Sequence, residues 1–91
     1  MSATRPQLTL YERAGCHLCE EVGELLDAQV GPDRYRRVDV DADADLVLRY
    51  GFRVPVVSID GQDCLEAPMT ESELLAVLAS SGASRSAGVD S

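Results

Sequence analysis

The chain has 91 residues, 45% of them hydrophobic, with 16 acidic side chains against 8 basic ones and a net charge of −8. That length holds one domain with one core, and the apolar content is enough to form it without external staples. All the basic side chains are arginines and only Arg34, Arg36 and Arg37 cluster, which excludes nucleic acid as an expected partner, because phosphate binding relies on grouped cations.

In chain order, residues 1–6 read as a flexible lead-in to a domain spanning 7–81. The opening MSATRPQLTL has no basic start followed by a long apolar run, so a secretory leader is not expected. No apolar stretch approaches membrane-spanning length, so no membrane partner is expected and the cytoplasm is the expected location. Gln7 to Tyr11 is short and β-prone, a strand ended before Gly15. Leu18, Val22, Leu25 and Leu26 fall on one face of a helix that Gly31-Pro32 terminates. Tyr35 to Val40 reads as a second strand, with Val38 and Val40 alternating against polar neighbours.

The run DVDADAD, residues 39–45, invites a comparison with a calcium loop, which needs Gly at its sixth position and Glu at its twelfth. Counted from Asp39 those positions hold Ala44 and Tyr50, and counted from Asp41 they hold Leu46 and Phe52. Neither register fits, so the aspartates read as a strand end and the N-cap of a short helix. That helix carries Leu46, Val47 and Tyr50 and stops at Gly51.

Val54 to Ile59 is β-branched and apolar, Asp60-Gly61 is a two-residue turn signal, and Gln62 to Leu65 returns as an antiparallel strand. Pro55 fits this strand as a cis-proline at its start better than as a ladder position. Thr70-x-x-Glu73 forms a capping box before a helix carrying Leu74, Leu75, Val77 and Leu78, and Gly82 closes it. The last stretch, GASRSAGVDS at 82–91, is small and polar and reads as a disordered tail. The predicted order is β-α-β-α-β-β-α: an α/β domain with a four-stranded mixed sheet, three helices on its faces, and a right-handed crossover joining the first two strands.

Chemistry concentrates in ERAGCHLCEE, residues 12–21. Three cysteines in a cytosolic chain do not form a structural disulfide framework, and a CxxC there is redox-active or metal-binding. Cys16 falls where a strand ends and a helix begins. Unpaired amides and the helix dipole stabilise a thiolate at that point. Cys19 is one helical turn further on, within disulfide reach. Cys16 can therefore attack a substrate disulfide and Cys19 can resolve the mixed disulfide. Arg13 favours the thiolate, whereas Glu20 and Glu21 oppose it. His17 reads either as a nearby acid or base or as an exposed polar residue of the first turn. Cys64, on the return strand, is expected as a small buried hydrophobe rather than a regulatory thiol.

Two readings from other classes stay open. A metal or iron–sulfur module would have to close its site between chains, since one chain offers only Cys16, Cys19, His17 and a distant Cys64. A non-catalytic interaction module would not need the cysteine pair.

YERAGCHLC (11–19), RVPVVSIDG (53–61) and QDCL (62–65) together resemble the glutaredoxin type of the thioredoxin fold, in particular a small bacterial glutaredoxin-like group. The resemblance implies a three-layer thioredoxin-like fold and a thiol-disulfide oxidoreductase. It places the nucleophile on Cys16, the resolving thiol on Cys19 and a basic site residue on Arg13. It also places a cis-proline at Pro55 beside the active site, with the Val54 backbone pairing with substrate. The implied partner is a disulfide-containing protein or small thiol, met by a monomer without a tightly bound cofactor.

His17 and Leu18 replace the usual proline and aromatic between the cysteines, and Arg53 replaces the usual threonine before Val-Pro. Glu66-Ala67 stands where the family carries Gly-Gly against the γ-glutamyl end of glutathione. The bulk and charge of Glu66 argue against strong use of glutathione as reductant, although Arg53 or Arg49 can compensate by pairing a carboxylate.

Overall fold

Leu8, Leu10, Val57 and Ile59 are almost fully buried and sit at alternate positions of paired strands, so one face of the sheet is apolar by construction. In the computed structural model, which describes residues 6–82, strand β1 (Leu8–Glu12) is an inner strand. Strand β2 (Arg36–Asp39) runs parallel to it on one side, with Thr9 opposite Arg36. Strand β3 (Val56–Ile59) runs antiparallel on the other, with Tyr11 opposite Val56. Strand β4 (Gln62–Glu66) pairs antiparallel with β3 and completes the order β2-β1-β3-β4. Of the lead-in expected at 1–6 and the tail expected at 82–91, residues 1–5 and 83–91 lie outside the described residues.

Helices α1 (His17–Gln29) and α3 (Glu71–Ser81) cover the apolar face, contributing Val22, Leu26, Leu74 and Leu78 to its core. The opposite face carries a smaller cluster of Val40, Tyr50 and Val56, against which Tyr11, Leu46 and Val54 pack. Helix α2 (Ala44–Tyr50) lies on that side. The result is the expected three-layer α/β arrangement. All four residues of β3 are buried, as a strand covered on both faces should be.

The element ends follow the local chemistry. Asp43 caps α2 by accepting from the Asp45 amide at 2.8 Å, and Asp39 caps a 3-10 turn at Val40–Ala42 by accepting from the Asp41 amide at 3.0 Å. Both arms of the Thr70–Glu73 capping box form, and Gly82 closes α3 in the left-handed region. Asp60 and Gly61 both have positive φ, as a two-residue hairpin turn with the sheet's twist requires.

Three expectations change. The second strand is shorter than Tyr35 to Val40. The Tyr35 hydroxyl donates to Asp27 at 2.6 Å, and buried Val40 starts the 3-10 turn. The third strand begins at Val56 rather than Val54, because Pro55 has no N–H and the Val54 amide donates to the Tyr50 carbonyl at 3.1 Å. Cys64 is exposed rather than buried. Ser58 faces Asp63 and Val57 faces Leu65, so Cys64 is the extra residue of a bulge on an edge strand.

Leu10 is fully buried, so Leu10→Ala is expected to cost about 3 kcal/mol, whereas Thr70→Ala removes a cap and costs about 1 kcal/mol. Urea unfolding of both variants checks this ordering; equal losses would contradict the packing described.

Candidate active site

At the end of β1 the chain makes a turn in which the Cys16 amide donates to the Arg13 carbonyl at 3.3 Å. Gly15, at φ +78°, supplies the left-handed residue that this turn needs. The turn delivers Cys16 to the N-cap of α1, where its sulfur accepts the Cys19 amide at 3.1 Å. Cys16 and Cys19 are joined as a disulfide, with their Cα atoms 5.2 Å apart. Cys16 is half-buried, while Cys19 is 1% exposed on the inner face of α1 near Val22. A partner molecule can reach the first sulfur and not the second.

The antiparallel register places Tyr11 opposite Val56, so Pro55, one residue earlier, lies level with Glu12. The Val54-Pro55 bond is cis, as expected from the sequence, and sits at the same end of the sheet as the cysteine turn. The Val54 amide is already donated to Tyr50, which leaves its carbonyl as the group it can offer.

The cations expected near the sulfurs are otherwise engaged. Arg13 donates through Nε and Nη2 to the Asp41 carboxylate at 3.2 and 2.8 Å, and through Nη1 to the Gly51 carbonyl at 3.0 Å. This pairing, first through the hydrogen bond and then through charge, holds the Asp41 carboxyl below its ordinary value and raises the Arg13 guanidinium. Arg53 donates to Glu66 at 2.6 and 2.9 Å and reaches Asp63 at 3.5 Å, and its guanidinium lies over the Tyr50 ring at 5.3 Å. The structure therefore brings together Arg53 and Glu66, two residues whose charges the sequence left separate. His17 points outward, 86% exposed, and lies 3.2 Å from Glu21 one turn along, which matches the plain polar reading. A cleft of about 300 Å³ beside the turn is lined by Glu12, Arg13, Ala14, Gly15, Glu20, Arg37 and Asp39, and Arg37 in it is bound to Glu12 at 2.8 and 3.0 Å.

The sequence reading missed Asp41 and Gly51 as partners of Arg13. It also missed the stacking of Tyr11 on Tyr50, with ring centres 4.2 Å apart, and the Tyr50 hydroxyl's bond to Asp63 at 3.1 Å. Burial, and then the bond to Asp63, raises the Tyr50 hydroxyl above its ordinary value. Among the described residues, no group of three His, Cys, Asp or Glu side chains is placed to hold a metal, and no helix is long and apolar enough to cross a membrane.

Residues 7–79 match the family described as Glutaredoxin-like domain (DUF836). The uncharacterised protein Rv0508 of Mycobacterium tuberculosis is 36% identical over 86 residues, covering 86% of this chain and 88% of that protein. Among solved structures, protein XcR50 of X. campestris superposes with a TM-score of 0.68 at 40% identity, covering 80% of this chain and 96% of that one. The buckwheat glutaredoxin–glutathione complex superposes with a TM-score of 0.58 at 23% identity, a likeness of fold, covering 86% of this chain and 81% of that one.

Because the native Asp41 carboxyl is held below its ordinary value, its contribution to stability is present above the ordinary carboxylate range and is lost as pH falls through the depressed native value. The stability gap between the wild type and Asp41→Asn is expected to be flat from about pH 7 to about pH 5 and to shrink below about pH 4. Urea unfolding across that range checks it, and a gap that stayed constant down to about pH 2 would contradict the pairing.

Proposed function

Since the chain belongs to the glutaredoxin-like domain family (DUF836), we propose that it is a thiol-disulfide oxidoreductase working through the Cys16–Cys19 dithiol. The observation that carries this reading is the unequal placement of the two sulfurs. Cys16 is half-exposed at a helix N-cap with an amide aimed at its sulfur, and Cys19 is buried one turn behind it.

In the reduced protein the Cys16 thiolate attacks one sulfur of a substrate disulfide. A Cys16–substrate S–S bond forms, the substrate's own S–S bond breaks, and the first substrate sulfur leaves as a thiolate that takes up a proton. Cys19, losing its proton, then attacks the Cys16 sulfur. The Cys16–Cys19 disulfide forms and the second substrate thiol departs, so the substrate has gained two electrons and two protons. A thiol or dithiol reductant returns the pair to the reduced state by the reverse exchange. The donor geometry at Cys16 favours the thiolate as both attacking and leaving group. The Val54 carbonyl, at the same sheet end, accepts an N–H from a substrate strand. His17 has no step here, because its side chain points into solvent.

Protein disulfides suit this site better than anionic small thiols. Asp41 takes Arg13, Glu66 and Asp63 take Arg53, and Glu12 takes Arg37, so at these three arginines an incoming carboxylate has to displace an internal one. Glutathione is therefore a weak reductant for this chain. The setting is the cytoplasm, where substrate thiols are kept reduced, and the working form is a monomer.

Cys16→Ser is expected to abolish dithiothreitol-driven reduction of insulin disulfides, and Cys19→Ser to accumulate a mixed disulfide visible by intact mass. Turnover by Cys16→Ser would overturn the assignment of roles. Glu66→Gly, which removes the nearer of the two carboxylates on Arg53, is expected to lower the KM for glutathione by about five-fold. Unchanged glutathione kinetics in the folded variant would show that Glu66 does not limit it.

A further inference from the structure

Arg13 holds both halves of the site, one through its backbone and the other through its side chain. Its carbonyl accepts the Cys16 amide and closes the turn that seats the nucleophile. Its guanidinium spends all three nitrogens elsewhere, two on Asp41 in the 3-10 turn and one on the carbonyl of Gly51, the C-cap of α2. From Gly51 the chain runs three residues to Val54, and the amides of Arg53 and Val54 both return to the Tyr50 carbonyl, at 2.8 and 3.1 Å. Hydrogen bonds and the short stretches of chain between them thus link Cys16 to Val54 through Arg13, Gly51 and Tyr50. Asp41 is itself fixed, since its amide is held by the Asp39 side chain at 3.0 Å.

We propose that Arg13 is a positioning residue, a strut that sets the backbone of Val54 at a fixed separation from the Cys16 sulfur, rather than a cation that stabilises the thiolate. The inference rests on the oxidoreductase reading for its consequence in turnover, but not for its structural content. A substrate disulfide has to meet Cys16 while its strand meets Val54, so a slack strut weakens productive binding. A planar guanidinium can bridge a carboxylate and a carbonyl at once, and a lysine ammonium on the same stem cannot reproduce that fork. The two roles therefore give opposite predictions for lysine. A charge acting on the sulfur survives Arg13→Lys, whereas a strut does not. They differ for the partner as well: Asp41→Asn would release a thiolate-stabilising cation and speed alkylation of Cys16, but it loosens a strut.

The test compares Arg13→Ala, Arg13→Lys and Asp41→Asn with the wild type, using insulin as substrate and the pH profile of Cys16 alkylation by iodoacetamide on the reduced proteins. All three variants are expected to raise the KM for insulin about five-fold, with a smaller change in kcat and with the midpoint of the alkylation profile where the wild type has it. An unchanged KM in the folded variants would overturn the proposal. So would recovery by Arg13→Lys, or a shifted midpoint. Amide exchange at Val54 reads the strut without turnover, and Arg13→Ala should speed it about five-fold. If the wild type reduces no disulfide, the oxidoreductase reading falls; faster Val54 exchange then still upholds the strut, and unchanged exchange overturns it. Should Arg13→Ala fail to fold, Arg13→Lys and Asp41→Asn carry the same comparisons.

Discussion

The Cys19 amide donates to the Cys16 sulfur across the first turn of α1, and the rest of the site is arranged around that bond. It exists because β1 ends in a turn whose third residue is a glycine at positive φ, which leaves the next residue at the helix N-cap. A cysteine there takes the place of the usual Ser, Thr or Asp cap. The capping geometry and the redox geometry are the same geometry: the group that satisfies the helix start is also the group that the helix start polarises. Burial of Cys19 on the same helix, against the core that holds α1 to the sheet, then fixes which sulfur meets a partner.

Around this centre, the ion pairs matter more for placement than for stability. Exposed pairs contribute little each, because solvent screens them. Arg13, Arg37 and Arg53 nevertheless each take a defined carboxylate, two of them in side-on geometry. Gly23 in α1 leaves the space that the Arg37 guanidinium fills, and a Cβ there would collide with it. The strongly acidic chain thus uses its arginines to tie β1 to β2 and to the 3-10 turn, and the segment before β3 to β4. The arginines beside the cysteine turn, Arg13 and Arg37, are thus each already matched by an internal carboxylate.

Much of this was legible from sequence where the signal is local. Asp60-Gly61, the Thr70–Glu73 box, the Gly51 and Gly82 stops and the position of Cys16 each depend on chemistry within a few residues. Signals that depend on distant pairing were not legible. Cys64 looked buried because free cysteines usually are, and only the register of β4 on β3 reveals that it is the bulged residue of an edge strand. DVDADAD offers several equivalent aspartates, and nothing in its spacing says that Asp41 meets Arg13 from 28 residues away while Asp39 and Asp43 turn back to cap. Arg53 and Glu66 were both singled out, but as separate influences on a ligand, because their mutual contact forms only once β4 has folded back beside β3.

The central claim is that Cys16 and Cys19 form a working dithiol couple with Cys16 as the outward thiol. Equilibrating the protein in graded dithiothreitol and glutathione buffers, followed by alkylation and intact mass, tests it most directly. A reversible loss of two hydrogens at this pair with one defined potential, and first labelling of Cys16 when alkylating reagent is limiting, is the predicted result. A pair that never oxidises, or that oxidises only after a metal has been stripped from it, would contradict the account and leave the glutaredoxin likeness as one of fold alone.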